Sequence, residues 1–491
     1  MAPSTESIPM RWPAGPLEIA LRKNVKGFSP ETAELLRAWL DPASLALVQG
    51  TPVNCLVVSW ASGLPEDAAQ QQALKPLIDK GRQAGFDFAG IVEGKADRPA
   101  AIAAARSAGL AAVLMDGDPP ANAGIPVIPR CERAHLAWTA NSPLLGISDG
   151  KWPGIPQDIN QAGGPTNLPW VDSNGAVLRI ARAMAPDKGV WVEFDPPPQQ
   201  AAPSAEAYML AVADPASYGA RWVISLDDAL RADLTAKKQP AVDTWNKVAG
   251  TLAFFEQHKQ ARSYEAAGLL AVISDFAGPD WFPGEEAVNL LPRLREPFRV
   301  IARSRAAAAS FDGLQAIYYV DQEPPDAQLR QKLIAFAKGG ATLFVPSKWP
   351  NPEGEPAPAE PYLLFSMRAL GKGRLAVCKE DHPNTYDTVA DIQNIVSHRN
   401  DLLRLYNAAS MNFFYEASAQ GGRGVIHLLN YSRRPASDGP LFYVKEPQKS
   451  ARLVSPELAS PAELQWAPQE AGGAELALPR ISVYGAVELE S

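Results

Sequence analysis

Three cysteines in 491 residues, Cys55, Cys131 and Cys378, are too few and too scattered for a disulfide framework or a zinc site. Burial as free thiols is the simple reading. The five histidines (His135, His258, His382, His398, His427) show no metal-ligand spacing, so neither a metal nor another cofactor is expected. No G-x-G-x-x-G follows a strand, and there is no P-loop and no G-x-S-x-G elbow, which argues against nucleotide binding and serine hydrolysis. The net charge is -8 with no dense Lys/Arg run, so a nucleic-acid partner is not expected. No stretch reaches the roughly 18 apolar residues needed to span a bilayer, and residues 1–15 lack the basic and apolar regions of a signal peptide. No membrane partner is expected. The compartment stays open: cytoplasmic as the chain stands, periplasmic or secreted if an export signal has been removed.

What is present is an ordinary globular composition, 46% apolar and 20% charged, in a chain long enough for two to four domains. The 46 prolines are about twice the usual share, and runs such as 195–198 and 323–325 suggest stiff surface loops. No internal repeat stands out.

From residue 17 to about 259, short apolar runs alternate with helical periodicity, the habit of parallel βα units. Candidate strands are 17–21, 54–59, 86–93, 110–116, 125–129, 144–149, 189–194 and 221–227. Helical signals cover 30–40, 68–84, 98–108, 176–185, 204–213 and 243–259, with only a short helix in 131–140. Eight such strands in about 250 residues predict a (β/α)8 TIM barrel, with an open doubly wound sheet as the alternative. A second α/β pattern follows: strands 268–274, 298–302, 316–320 and 342–345, a further strand at 375–378, and helices 326–338 and 388–408. This predicts a flavodoxin-like sheet. The last 80 or so residues hold β-like runs between Gly, Pro, Ser and Asp, which predict a small antiparallel β-sandwich. The expected domains are 1–262, 263–410 and 411–491.

In a barrel the site lies at the C-terminal ends of the strands, and here those ends are acidic: Glu93, Asp116, Asp118, Asp149, Glu193, Asp195, Asp227 and Asp228. Glycoside cleavage needs two carboxyl groups, one protonating the leaving oxygen and the other acting as nucleophile or base. In 189–194 the alternation turns Trp191 and Glu193 into the barrel. Such a carboxylate either works on a ligand or pairs with an Arg or Lys from a neighbouring strand or loop. Glu93 shares parity with Asp87, Asp116 also reads as turn chemistry, and Asp227 and Asp228 precede a helix that either could cap.

The connection 149–174 is long and rich in Gly, Pro, Trp and amides, without a clear helix. Aromatic faces, carboxylates and amides are what a sugar site uses. The candidate binding residues are Glu93, Trp60, Lys151, Trp152, Asn167, Trp170, Asp172, Asn174, Trp191 and Asp227. The alternative is that both tryptophans anchor the loop and that Asp172 or Ser173 caps the next helix.

The stretches FDGLQAIYYVDQEPPDAQLRQKLIAFAKGGATLFVPS, GKGRLAV, GVIHLLNYS and LPRISVYGAVELE, in this domain order, resemble family 42 glycoside hydrolases. The middle domain of those enzymes looks like a class I glutamine amidotransferase. Amidotransferases carry a Cys nucleophile after a strand where this chain reads Val345-Pro-Ser-Lys348, so the resemblance implies a structural middle domain used for homo-oligomer contacts. It also implies an acid at the end of strand four and a nucleophile at the end of strand seven, which fall on Asp116 and Glu193. The family's clan usually has Asn-Glu where this sequence has Met115-Asp116.

The expected function is therefore a bacterial glycoside hydrolase acting on an oligosaccharide or glycoside, with Glu193 as nucleophile or base and Asp116, Asp149 or Glu93 as the acid. The alternative is a non-catalytic carbohydrate-binding protein on a degenerate barrel. A scaffolding protein is the third class.

Overall fold

The computed structural model describes residues 3–117, 120, 122–136, 138, 141–156, 170–197, 203–358, 362–396, 401–435 and 439–490. The chain forms two compact units, Met1–Trp152 with Ala185–Gln257, and Pro153–Met184 with His258–Ser491.

The first unit is built on eight parallel strands paired in chain order: β1 (Pro9–Arg11), β2 (Cys55–Ala61), β3 (Asp87–Val92), β4 (Ala112–Asp116), β5 (Val127–Cys131), β6 (Leu144–Ile147), β7 (Gly189–Val192) and β8 (Arg221–Trp222). The end of β8 returns to β1, where Arg11 N donates to Ile224 O at 2.8 Å and Ile224 N to Pro9 O at 3.0 Å. The parallel sheet closes, as expected, into a barrel. Its interior is filled by Cys55, Val57, Ala89, Ile91, Ala112, Leu114, Ile128, Leu144, Trp191 and Val223. These alternate with outward residues such as Phe88, whose ring lies against the backbone of Gly81 on the covering helix. Each large side chain fully withdrawn from water contributes roughly 1.5–3 kcal/mol.

Between and after these strands run α1 (Pro16–Arg22), α2 (Pro30–Ala38), α3 (Asp67–Gln83), α4 (Arg98–Ser107), α5 (Gly175–Met184), α6 (Ala205–Ser217), α7 (Asp228–Thr235) and α8 (Gln239–Gln257). Of these, α5 belongs to the second unit. Two details depart from the sequence expectation. Residues 17–21 are helix, because Pro16 fits the first turn and Leu17 and Ala20 are buried at helical spacing. The first strand is instead the three-residue β1, too short to show alternation. In 131–140 the described structure is a single 3-10 turn, Arg133–His135.

In the second unit, β9 (Glu265–Ala266) leads into a seven-stranded sheet of β10 (Leu270–Ser274), β11 (Phe298–Ala302), β12 (Ala316–Tyr319), β13 (Thr342–Val345), β14 (Glu355–Pro356), β15 (Phe365–Leu370) and β16 (Gly373–Cys378). Its order is β11-β10-β12-β13-β16-β15-β14. The five parallel strands thus run second, first, third, fourth, fifth, one of the common doubly wound orders. The antiparallel β14 and β15 extend the edge and were not foreseen. The helices are α9 (Trp281–Leu290), α10 (Arg303–Ala306), α11 (Ala327–Lys338) and α12 (Thr385–Val396). The expected helix 388–408 stops at Val396 because the chain re-enters a sheet as β17 (Leu403–Tyr406).

Two antiparallel sheets complete the unit, formed by β17, β18 (Met411–Ala417), β19 (Arg423–Asn430), β20 (Leu441–Val444), β21 (Ser450–Val454), β22 (Ala462–Glu463), β23 (Trp466–Pro468), β24 (Ala474–Ala477) and β25 (Tyr484–Glu490). One runs β17-β20-β24-β23 and the other β22-β21-β25-β19-β18-β9. Leu405, Phe442 and Leu476 from the first meet Phe413, Ile426, Leu428 and Val487 from the second in one apolar core.

Candidate active site at the barrel mouth

Two residues beyond a barrel-interior side chain, the strand period of two returns the chain to the same face. After Ile91, Leu114, Ile128 and Trp191 in the interior come Glu93, Asp116, Arg130 and Glu193. Apolar core therefore gives way to a charged layer at the C-terminal ends of β3, β4, β5 and β7. At its centre is Arg130. Its Nε donates to Glu193 Oε1 at 2.7 Å, and its Nη1 donates to Glu93 Oε2 at 3.0 Å and to Asp116 Oδ1 at 3.4 Å. The side chains of Arg130 and Glu193 are 16% and 14% exposed, that of Glu93 31%, and that of Asp116 53%. Burial alone would lower the Arg130 pKa, but the charge and hydrogen bond of Glu193, then the charges of Glu93 and Asp116, raise it above the ordinary arginine value. The guanidinium stays charged at any working pH.

Further charges at the strand ends come in pairs. Arg11, inward on β1, donates from Nη2 to Glu18 Oε1 and to Ser59 Oγ, both at 2.6 Å, and Ser59 donates to Glu18 at 2.6 Å. Asp149 accepts from Arg133 N at 2.7 Å and from Arg133 Nε at 3.2 Å. Asp195 accepts from Ser225 at 2.6 Å.

The structure thus brings Glu93, Asp116 and Glu193 around one cation and holds Asp149 on a separate arginine. Asp227 caps α7, accepting from Leu230 N at 3.0 Å and from the Tyr208 hydroxyl at 2.5 Å. Asp228, just behind it, pairs with Arg22 and Arg231. Trp60 does not reach the mouth: it is buried and its indole N–H donates to Ala101 O of α4 at 2.9 Å. Trp191 is fully buried in the barrel interior below Glu193. Trp152 stands edge-on to Phe194, Tyr208 and Trp222, with ring centroids 6.0, 5.5 and 5.8 Å away, so it anchors the start of its loop. Lys151 beside it is half-buried.

In the second unit, Trp170 donates to Asp172 Oδ1 at 3.3 Å, and the Asp172 backbone pairs with Gly154 at 2.9 and 3.0 Å. Asn174 is fully buried ahead of α5, its carbonyl accepting from Leu178 N at 3.0 Å. Asn167 and Asp118 lie outside the described residues.

Sequence reasoning missed Arg130. The expected fifth strand ends at 129, whereas β5 runs to Cys131, and the signal for Arg130 is a lone arginine continuing the inward parity of Ile128. It also missed a second charged group, at the ends of β10 and β12, where Asp275, Asp280 and Asp321 each place an oxygen within 4.8 Å of the others. Three such carboxylates can hold a metal ion, but here the Arg303 guanidinium lies among them, 2.6 Å from Asp275 and 2.9 Å from Asp321. Burial pushes the Asp321 carboxyl up to about 7, against the Ser274 hydrogen bond.

No family model and no curated protein matches the chain. Among solved structures it is similar to alpha-L-fucosidase isoenzyme 2 from Paenibacillus thiaminolyticus, with a TM-score of 0.58 and 10% identity over 99% of this chain and 100% of that one. A catalytic mutant of Gan42B, a GH42 beta-galactosidase from G. stearothermophilus, aligns with a TM-score of 0.47 and 9% identity over 94% and 97% of the two chains. The exo-beta-1,4-mannosidase Op5Man5 from Opitutaceae bacterium strain TAV5 aligns with a TM-score of 0.47 and 12% identity over 80% and 97%. The solved structures that the chain resembles are glycoside hydrolases. At 10% identity the likeness to the fucosidase structure establishes a shared fold alone.

Proposed function

We infer that the chain is a glycoside hydrolase whose site is the barrel mouth. The observation that carries this reading is the inward-facing layer Glu93, Asp116, Arg130 and Glu193 at the C-terminal ends of the strands, where barrel chemistry is housed. Glu193 serves as nucleophile or base: its ion pair with Arg130 occupies Oε1 and leaves Oε2 to face the anomeric carbon or a water. Asp116 serves as the acid. It is the carboxyl least engaged by Arg130 and the most exposed of the three, so it is the one freest to approach the leaving glycosidic oxygen. Glu93 helps Arg130 hold the layer in place. The same reading takes 1–262 as the barrel domain, 263–410 as a flavodoxin-like, amidotransferase-like domain for self-association, and 411–491 as a sandwich.

The triple pairing of Arg130 favours a second reading, a carbohydrate-binding protein in which the guanidinium holds the carboxylates as ligands for sugar hydroxyls. One experiment separates the two. The purified protein is given 4-nitrophenyl α- and β-glycosides of fucose, galactose, mannose, glucose, rhamnose and xylose, with Glu193→Gln alongside, and both turnover and calorimetric binding are measured. Turnover by the wild type that is lost in a folded Glu193→Gln supports the hydrolase. Binding without turnover supports the second reading, and neither binding nor turnover removes both.

A further inference from the structure

The end of the barrel away from the mouth carries a cavity of about 340 Å³ at the N-terminal ends of β3, β4 and β5, with Arg82, Asp87, Arg106, Gly109, Gly124 and Pro126 in its lining. Arg82 lies in the last turn of α3 and Arg106 in the last turn of α4. A cation there offsets the helix dipole, and the equivalent Arg22 of α1 and Arg37 of α2 also pair with carboxylates, Asp228 and Glu34. Arg82 and Arg106 differ: both are exposed, and neither makes a hydrogen bond or ion pair among the described residues. Each instead lies against a glycine in the left-handed region. A Cβ on Gly109, at φ 75, would stand 2.3 Å from Arg82 Nη1, and one on Gly124, at φ 66, would stand 2.7 Å from Arg106 Nη1. A side chain at either turn would push the guanidinium away from the backbone.

Two unpaired guanidiniums thus line one cavity against the single carboxylate of Asp87, which leaves it with an excess of positive charge. We propose that this cavity is an anion site for a phosphate group, held by Arg82 and Arg106 together. Shape favours a tetrahedral oxyanion. A guanidinium presents its N–H donors as fixed forks, and one fork satisfies both oxygens of a planar carboxylate, whereas a phosphate has oxygens on several edges and occupies two forks at once. Size agrees. A sphere of the cavity's volume is about 9 Å across, and a phosphate accepting from two N–H groups at about 2.8 Å holds their nitrogens up to about 8 Å apart. The inference is independent of the reading of the mouth, because it uses the other ends of the strands. The phosphate is either the free ion or its ester with a small molecule, since the two share the group that the arginines would bind.

The test is calorimetric titration of the full chain, at low ionic strength in a chloride buffer, with inorganic phosphate, glucose 6-phosphate and acetate. It is run on the wild type, Arg82→Gln, Arg106→Gln and Gly109→Ala, with folding checked by circular dichroism. Phosphate should bind, and acetate at least about 10-fold more weakly. Each arginine variant should weaken phosphate binding about 10-fold or more, because charge-assisted bonds are lost. Gly109→Ala keeps both charges but displaces the Arg82 guanidinium, so it should weaken binding to a similar degree. If that variant does not fold, the two substitutions of exposed arginines carry the test. Glucose 6-phosphate binding more tightly than inorganic phosphate identifies an ester as the occupant, and equal or weaker binding identifies the free ion; both support the site. No binding of either phosphate probe up to about 10 mM leaves two helix-end cations and overturns the proposal. So does acetate binding as tightly as phosphate, phosphate affinity that survives both arginine variants, or affinity unchanged in a folded Gly109→Ala, which would show attraction by net charge alone.

Discussion

Arg130→Met keeps most of the apolar stem of the side chain and removes its charge, leaving Glu93, Asp116 and Glu193 without a counter-ion. The carboxylate of Glu193 is only 14% exposed and receives the 2.7 Å bond, and that of Glu93 is 31% exposed at 3.0 Å. Charge-assisted bonds of this kind contribute about 1.5–3 kcal/mol each, and removing one partner of a largely buried pair costs about 3–5 kcal/mol. Asp116, 53% exposed at 3.4 Å, adds little because water screens it. A barrel destabilised by about 3 kcal/mol at pH 7 is expected. Hydrogen exchange on peptides covering β4, β5 and β7 reads this locally, as exchange about 100-fold faster than in the wild type. The pH dependence has a definite sign. The pKa of Arg130 is raised above an already high value, so its charge contributes equally throughout the acid and neutral range and is lost only in strong alkali. Exchange within about 3-fold of wild type at pH 7 would refute this account.

Glu296 is buried, and desolvation, aided by the charge of Asp401, raises its carboxyl to about 8. The folded protein thus binds this proton more tightly than the unfolded chain, so stability falls as pH rises from about 4.5 towards 8. Glu296→Gln removes that slope: the variant should match the wild type at pH 4 and exceed it by up to a few kcal/mol above pH 8, as read from urea midpoints. Equal stability at both pH values would count against a buried neutral carboxyl there. At the mouth, a Cβ on Gly150 would lie 2.4 Å from Val192 Cγ1 and 2.9 Å from Glu193 O. Gly150→Ala should therefore displace the end of β7, destabilise the barrel by about 1–3 kcal/mol and lower turnover about 10-fold, and unchanged turnover would show that Glu193 tolerates the shift.

The barrel was legible because its cause is local and repeated. Apolar strands and amphipathic helices alternate along 1–257, and each strand pairs with the next in chain order. The inward direction of Glu193 was legible for the same reason, since a period of two needs no knowledge of neighbours. Less legible were elements whose local signal is short: β1, three residues opening on a proline, lay hidden beside the stronger apolar run of α1.

By itself the sequence determined periodicity, parity and composition, and through them the closed parallel sheet and the acidic rim. Tertiary structure alone decided which charges meet. Nothing along the chain links Arg130 to Glu93, 37 residues before it, or to Glu193, 63 residues after it. Closure of the barrel brings those strand ends together, and desolvation of the layer then leaves each carboxylate there needing a cation. The demotion of Trp60 and Asp227 has the same origin. One turned outward to a helix carbonyl and the other was taken up by a helix terminus, and both choices depend on partners that only the folded chain supplies.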